Sequence, residues 1–241
     1  MTDTGDEARR ARRLRAYADL RERHPERFGN AVGCAYTIEF GAAAQHEVAT
    51  DQRRRLADAG LPSENGDVGV VYQDEYLILV RDAVRFRDGR LRSYIRLLPA
   101  PGLDFGGSVV LPLSGDGVLL ASHFRHATRT WIWEIPRGFA APGEDPADTA
   151  ARELREELGV ECAELAPLGV IHPDAGISFS SVHVFAGQVA GRPVPDRLEG
   201  IDEVRRLSAG ELDQWVAEGR ITDACTLAAI ALARSHGMLS R

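Results

Sequence analysis

Residues 138–160, GFAAPGEDPADTAARELREELGV, constrain this chain more than any other stretch. They write one amphipathic helix with both ends marked. Asp145 is suited to cap the N-terminus and Pro146 to occupy the first turn. Asp148 adds negative charge where the helix dipole favours it. Gly159 suits the left-handed position that ends a helix. Ala147, Ala151, Leu154 and Leu158 recur at helical spacing and predict the buried stripe. Glu153, Glu156 and Glu157 stand at i, i+3 and i+4, so their carboxylates are expected to converge on one patch of the last two turns. That is a poor place for anions. The C-terminal end of a helix disfavours each nearby carboxylate by roughly 0.3–1 kcal/mol, and the Glu153/Glu157 pair adds a few tenths more. Arg152 and Arg155 offset part of this. A divalent cation would offset far more, and clustered carboxylate oxygens suit a hard ion, Mg²⁺ or Mn²⁺. Taken alone, RELREEL also reads as a solvated charged face; the residues upstream decide between the two.

The bulk of the chain narrows the function classes. Its 241 residues suffice for one large domain or a core domain with an extension. A hydrophobic content of 44% and a charged content of 27% are those of an ordinary soluble protein. No apolar run approaches the roughly 18–20 residues of a membrane helix. The N-terminus is acidic and then arginine-rich without an apolar core, so no secretory signal is expected and the expected location is the cytoplasm. A net charge of −7 argues against a nucleic-acid partner, although a local basic stretch could still act. Cys34, Cys162 and Cys225 are odd in number and far apart. They form neither a zinc spacing nor a disulfide framework, which fits a reducing compartment. All 29 basic residues are arginine, so no lysine is available as nucleophile or Schiff base.

Residues 1–30 read as a helix punctuated by Pro25 and Gly29, with Leu14, Tyr17 and Leu20 on one face and Ala18 at its margin. Its arginines are either a solvated surface or a docking or phosphate-binding arm. CAYTIEF reads as a short strand, and AAAQHEVATDQRRRLADAG as a second helix stopped by Gly60 and Pro62. From Asp67 the texture becomes β. Two runs flank a tight-turn signal at Asp88–Gly89, and a second hairpin surrounds SGDG. TWIWEIP is one more strand, ended by Pro136 and Gly138. After the acidic helix, SVHVFAGQVA and DEVRRLS read as strands, and AGELDQWVAEGR and DACTLAAIALARSHG as helices. The alternation lacks a βαβ rhythm and predicts a mixed sheet packed between helices.

Gly138, five residues, Glu144, seven residues, and then RELREELGV at 152–160 satisfy every fixed position of the Nudix box. The sequence thus resembles the Nudix hydrolases. The resemblance implies an α/β/α sandwich around a mixed sheet with a loop–helix–loop metal site. Here a small antiparallel β-sheet region and a helical N-terminal extension precede it. It implies Glu153 and Glu157 as the main metal ligands, with Glu156 completing the cluster. Arg152 and Glu144 would pair to hold loop and helix in register, and Gly138 would let the carbonyl of Arg137 approach the metal. The division expected is an extension over 1–66, a β-hairpin region over 67–104 and the Nudix domain over 105–241.

The flanks resemble the ADP-ribose pyrophosphatase branch. SHFRHATRTWIWEIPRGF is similar to the stretch before the box in those enzymes, which typically read Tyr-Arg, an aromatic or Leu, and then Glu-Leu-Pro-Ala-Gly. Arg125 matches their phosphate-binding arginine and Glu134 the glutamate of the short motif. The hairpin over 70–100 resembles the sheet through which they dimerise and contact the base. This implies a homodimer, with Tyr76 and Tyr94 either stacking on adenine or serving as cross-strand packing partners. A glutamate before the last strand often orients the attacking water; Glu199 is the candidate, with Asp202 and Glu203 as alternatives. The loop HPDAGISFSSVHVF departs from the usual Ser-Pro-Gly-x-x-x-Glu. Ser180 and Ser181 stand where a carboxylate is sometimes found, and His172 and Asp174 read as loop residues or as its replacement. The implied reaction is Mg²⁺-dependent hydrolysis of a nucleoside diphosphate derivative, ADP-ribose giving AMP and ribose 5-phosphate. A nucleoside diphosphate sugar or a dinucleotide (NADH, FAD) is the alternative substrate, and a non-catalytic nucleotide sensor the alternative class.

Overall fold

The computed structural model describes residues 3–100 and 106–240. They divide into two units, the first made of residues up to 100 together with 176–179. Its helix α1 (Asp3–Arg23) buries Tyr17 and Leu20 at one-turn spacing while Ala18 is exposed. Two strands flank the second helix in sequence: β1 (Tyr36–Ile38), then α2 (Ala42–Asp58), then β2 (Gly69–Gln73). The long strand β3 (Leu77–Phe86) pairs antiparallel with β4 (Leu91–Pro99) on one edge. Its other edge takes β2 and β1 in turn. The turn between β3 and β4 uses Gly89 at φ +84°, as Asp88–Gly89 predicts. Tyr17, Leu20 and Phe28 pack with Val70, Ile78, Val80 and Leu98, and Val48 of α2 packs with Val68 and Ala83.

Two buried carboxylates tie this unit together. Asp67, 1% exposed, receives Arg13 at 2.9 Å, Arg53 of α2 at 2.8 Å and Arg9 at 3.2 Å. Asp82 receives the Tyr17 hydroxyl and Arg96. The arginine-rich face of α1 is therefore partly spent inside its own unit. Residues 1–66 and 67–100, divided in the sequence reading, form one unit. The boundary at 104/105 lies outside the described residues. Residues 176–179 also join this unit: Leu97 donates its amide to the Ile177 carbonyl at 2.8 Å and accepts from Phe179 at 3.0 Å.

The second unit comprises 106–175 and 180–240. Its strands are β5 (Gly107–Ser114), β6 (Gly117–Arg125), β7 (Thr130–Glu134), β8 (Arg137–Phe139), β9 (Glu161–Cys162), β10 (Ala166–Ile171), β11 (Val182–Ala190) and β12 (Ile201–Ser208). The main sheet runs β10-β11-β5-β6-β12, with β7 added to β6 and β8 to β5. Only β11 and β5 are parallel among these pairs, so the sheet is mixed. Period-two alternation gives it two apolar faces. Val109, Leu111, Leu113, Val118 and Leu120 face helices α4 (Ala209–Ala217) and α5 (Ala224–Ser235). Val110, Leu119 and Ala121 face the acidic helix α3 (Pro146–Leu158). This is the α/β/α sandwich expected. β8, β9 and β10 are not foreseen by the sequence pattern. Among the described residues no helix is long and apolar enough to cross a membrane.

Candidate active site

Helix α3 starts and stops where its residues dictate. Asp145 accepts the Ala147 amide at 2.8 Å, Pro146 is the first helical residue, and Gly159 is left-handed at φ +63°. Its apolar stripe is Ala150, Leu154 and Leu158, all fully buried, with Ala147 beside them. Ala151, predicted to join the stripe, is only half-buried because the stripe runs one position earlier at that turn. Burying Leu154 and Leu158 contributes roughly 1.5–3 kcal/mol each, which fixes the rotation of the helix. That rotation carries Glu153 and Glu157 inward too; they are 8% and 6% exposed.

The two carboxylates meet the backbone of β8. A Cβ on Gly138 would fall 1.8 Å from Glu153 Oε1, so the carboxylate occupies the space that only glycine leaves. The Arg137 backbone lies close enough to Glu157 to favour its charge slightly. Burial, then the proximity of Glu153 and Glu134, pushes the Glu157 carboxyl up to about 8. Burial also raises Glu153. Glu156 stands at the rim of this patch: it is 54% exposed, and Arg152 Nη1 reaches it and Glu153 alike at 2.7 Å. Of the three carboxylates expected together, two are buried, because the helix turns its i+3 position toward solvent.

Arg152 holds the loop to the helix. It reaches Glu144 through Nε at 3.0 Å and Nη2 at 3.2 Å, Glu153 at 2.7 Å and the Phe139 carbonyl at 2.9 Å. Glu144 also accepts the Ala141 amide at 2.8 Å and the Thr149 hydroxyl at 3.0 Å. Arg152 first, then that amide, holds its carboxyl down at about 2.

Glu134 lies at the centre of a second group. It is wholly buried and bonded to Arg125, to Arg137 at 3.2 Å, and 3.0 Å from His123 Nδ1. Burial alone would raise its carboxyl, but the imidazole and the two guanidinium groups lower it. Arg125 and Glu134 are thus placed together, close enough to Glu157 to act on its charge. His123 was not foreseen; nothing in its local pattern marks it, since strand pairing of β6 with β7 brings it to Glu134.

The remaining candidates are placed as follows. Glu199 is exposed in the turn before β12, Asp202 is exposed within that strand, and Glu203 pairs with Arg205. His172 lies 3.1 Å from the Ser180 carbonyl through Nδ1. In the first unit, Tyr76 is 64% exposed in the turn before β3. Tyr94 stacks on Tyr36 at 5.7 Å and donates to the Gly176 carbonyl at 2.8 Å.

The pair Glu153/Glu157 suits a hard divalent cation. Glu157 Oε2 is buried without a hydrogen-bond partner among the described residues, and both carboxylates are disfavoured as anions where they stand. No group of three or more His, Cys, Asp or Glu side chains is arranged for a metal among the described residues. Two carboxylates completed by water and substrate oxygen are nonetheless a sufficient set for Mg²⁺.

Comparison with known proteins agrees with this geometry. The NUDIX domain family model matches residues 105–228. A methanol dehydrogenase activator from Bacillus methanolicus is 29% identical over 52% of this chain and 70% of its own length. An ADP-ribose pyrophosphatase from Bacillus subtilis (strain 168) is 31% identical over 51% of this chain and 62% of its own length. This chain thus spans just under two thirds of the pyrophosphatase. Among solved structures, an ADP compounds hydrolase superposes with a TM-score of 0.61 at 19% identity, covering 72% of this chain and 95% of that one, which speaks to the fold. With the family model spanning half of its length and the acidic helix in register, the chain belongs to the Nudix family.

Proposed function

We propose that this protein hydrolyses the diphosphate of a nucleoside diphosphate derivative in a Mg²⁺-dependent reaction, with ADP-ribose as substrate and AMP and ribose 5-phosphate as products. The observation that carries the reading is the Glu153/Glu157 pair seated against the Gly138 backbone. The similarity to an ADP-ribose pyrophosphatase supports the choice of substrate.

Glu153 and Glu157 would hold the cation, with the Arg137 carbonyl as a further ligand. A bound Mg²⁺ would polarise the phosphoryl group and lower the pKa of a water. Arg152 keeps Glu153 oriented and, through Glu144, keeps the loop closed on the helix. Arg125 would neutralise a non-bridging oxygen, and Glu199 is the candidate to take the proton of the attacking water. Tyr76 and Tyr94 remain candidates for the base. We further take the protein to be a cytoplasmic homodimer, with Mn²⁺ able to replace Mg²⁺.

A second reading is a nucleotide-binding regulator; the similarity to a methanol dehydrogenase activator from Bacillus methanolicus supports a regulatory role. One experiment separates the two. The full-length protein is incubated with ADP-ribose, an ADP-sugar, NADH and FAD plus Mg²⁺, and released phosphomonoester is read after phosphatase treatment. Turnover of ADP-ribose that collapses in Glu157→Gln is the expected result. Retained activity in that variant would sink the site, and no turnover of any compound would favour the regulator.

A further inference from the structure

The backbone that meets both carboxylates is gripped from behind by helix α5. Four groups close a ring around residues 135–137. The Ile135 amide donates to Thr226 Oγ1 at 3.1 Å, and that hydroxyl donates to Asp223 Oδ2 at 2.8 Å. Asp223 Oδ1 lies 3.3 Å from Arg137 Nη2, and the same nitrogen donates to Glu134 Oε2 at 3.2 Å. Ile135 and Thr226 are wholly buried, and the Asp223 side chain is 9% exposed. Asp223 also caps α5 through the Thr226 amide at 2.8 Å. A helix cap needs only one carboxylate oxygen. The second oxygen is spent on Arg137, the residue that immediately precedes Gly138, whose backbone the Glu153 carboxylate abuts.

We propose that Asp223 and Arg137 are positioning residues of the metal site, a brace by which the first turn of α5 fixes the β8 backbone against Glu153 and Glu157. The proposal rests on the metal-site reading above. None of the ring's side chains is among the metal ligands or substrate contacts proposed above. The ring's effect passes through backbone placement, and a loosened β8 strand would misplace the Arg137 backbone and the Gly138 surface together. Partners one step removed from a metal commonly cost 10–100-fold in metal affinity or activity when lost.

The test uses the full chain and Mn²⁺ as probe, with free ion read by electron paramagnetic resonance and melting temperature recorded with and without metal. Asp223→Ser keeps a capping oxygen for α5 and removes the bridge to Arg137. Arg137→Ala removes the other end, and Arg137→Lys restores the charge without the fork. We expect Asp223→Ser and Arg137→Ala each to weaken Mn²⁺ binding about 10-fold. The double variant should bind no worse than Arg137→Ala, since both sever one link, and Arg137→Lys should recover part of the loss. Lower melting temperatures with unchanged Mn²⁺ affinity would make the ring merely structural and overturn the proposal, as would strictly additive losses. If the unaltered protein fails to bind Mn²⁺, or if Glu157→Gln binds it equally well, the metal-site reading itself fails and takes the brace with it. If Asp223→Ser does not fold, Arg137→Lys against Arg137→Ala decides alone: equal Mn²⁺ affinity to the unaltered protein in both overturns the brace.

Discussion

The Glu153 carboxylate fills the place where a side chain on Gly138 would stand: an added Cβ would lie 1.8 Å from Oε1 and 2.6 Å from Oε2. Both partners are needed, one for its reach and the other for having none. Gly138→Ala should therefore displace Glu153 while leaving the α3 core of Leu154 and Leu158 in place. The expected result is a folded protein whose hydrolytic kcat/KM falls by about 10²-fold, the usual effect of a misplacement near 1 Å. Far-UV circular dichroism and steady-state kinetics check it. Unchanged kinetics would show that the glycine is not the seat of the carboxylate.

Glu157 predicts an unusual response to pH in the metal-free protein. Its carboxyl is pushed from 4.5 up to about 8, by burial first and then by Glu153 and Glu134. A carboxyl raised on folding stabilises the fold fully below its unfolded value, and that stabilisation is lost as pH rises through the folded one. In the presence of a chelator, stability should therefore fall between pH of about 4.5 and about 8, by an amount on the order of a few kcal/mol at most. Saturating Mg²⁺ should reverse the trend at the alkaline end, because metal binds the ionised form. Glu157→Gln should flatten the chelated profile and abolish the rescue. Urea denaturation across pH, with and without metal, measures all three.

The reach of the sequence stops where side chains meet across the sheet. The i, i+4 relation placed Glu153 and Glu157 on one side of α3, and the caps at Asp145 and Gly159 fixed its ends, because both are local. The same periodicity could not say that Arg152 would bridge Glu144, Glu153 and Glu156 at once, with Glu156 at the exposed end. The ring of Ile135, Thr226, Asp223 and Arg137 joins residues 86 to 91 apart, and only the layering of α5 on the sheet brings them together. β10 escaped notice for a different reason. Pro167 and Gly169 break its alternation, and the strand carries a register shift between them. In the N-terminal helix, an arginine pattern alone did not reveal that Asp67, more than 50 residues on, is where Arg9 and Arg13 end.

Arg152 contacts Glu144, Glu153, Glu156 and the Phe139 carbonyl at once. A lysine in its place keeps the charge but can hold only part of that fan, since an ammonium lacks the planar fork. Arg152→Lys is expected to retain the fold and to lower kcat more than it raises KM, if the residue acts as proposed by orienting Glu153. A rise in KM alone, with kcat preserved, would instead place Arg152 on the substrate.

Asp67 makes the last prediction, and it concerns stability. Its carboxylate is 1% exposed and compensated by Arg9, Arg13 and Arg53, which come from α1 and α2. Removing one member of such a group is costly because the others keep buried or half-buried charge without a partner. Single truncations of this kind cost about 3–5 kcal/mol. Asp67→Ala should therefore melt the first unit at markedly lower temperature. Arg53→Ala should cost less, since Asp67 keeps Arg9 and Arg13. Scanning calorimetry on the full chain should show an early transition in Asp67→Ala that the unaltered protein lacks. A melting curve identical to that of the unaltered protein would mean the arginines find water as readily as they find Asp67.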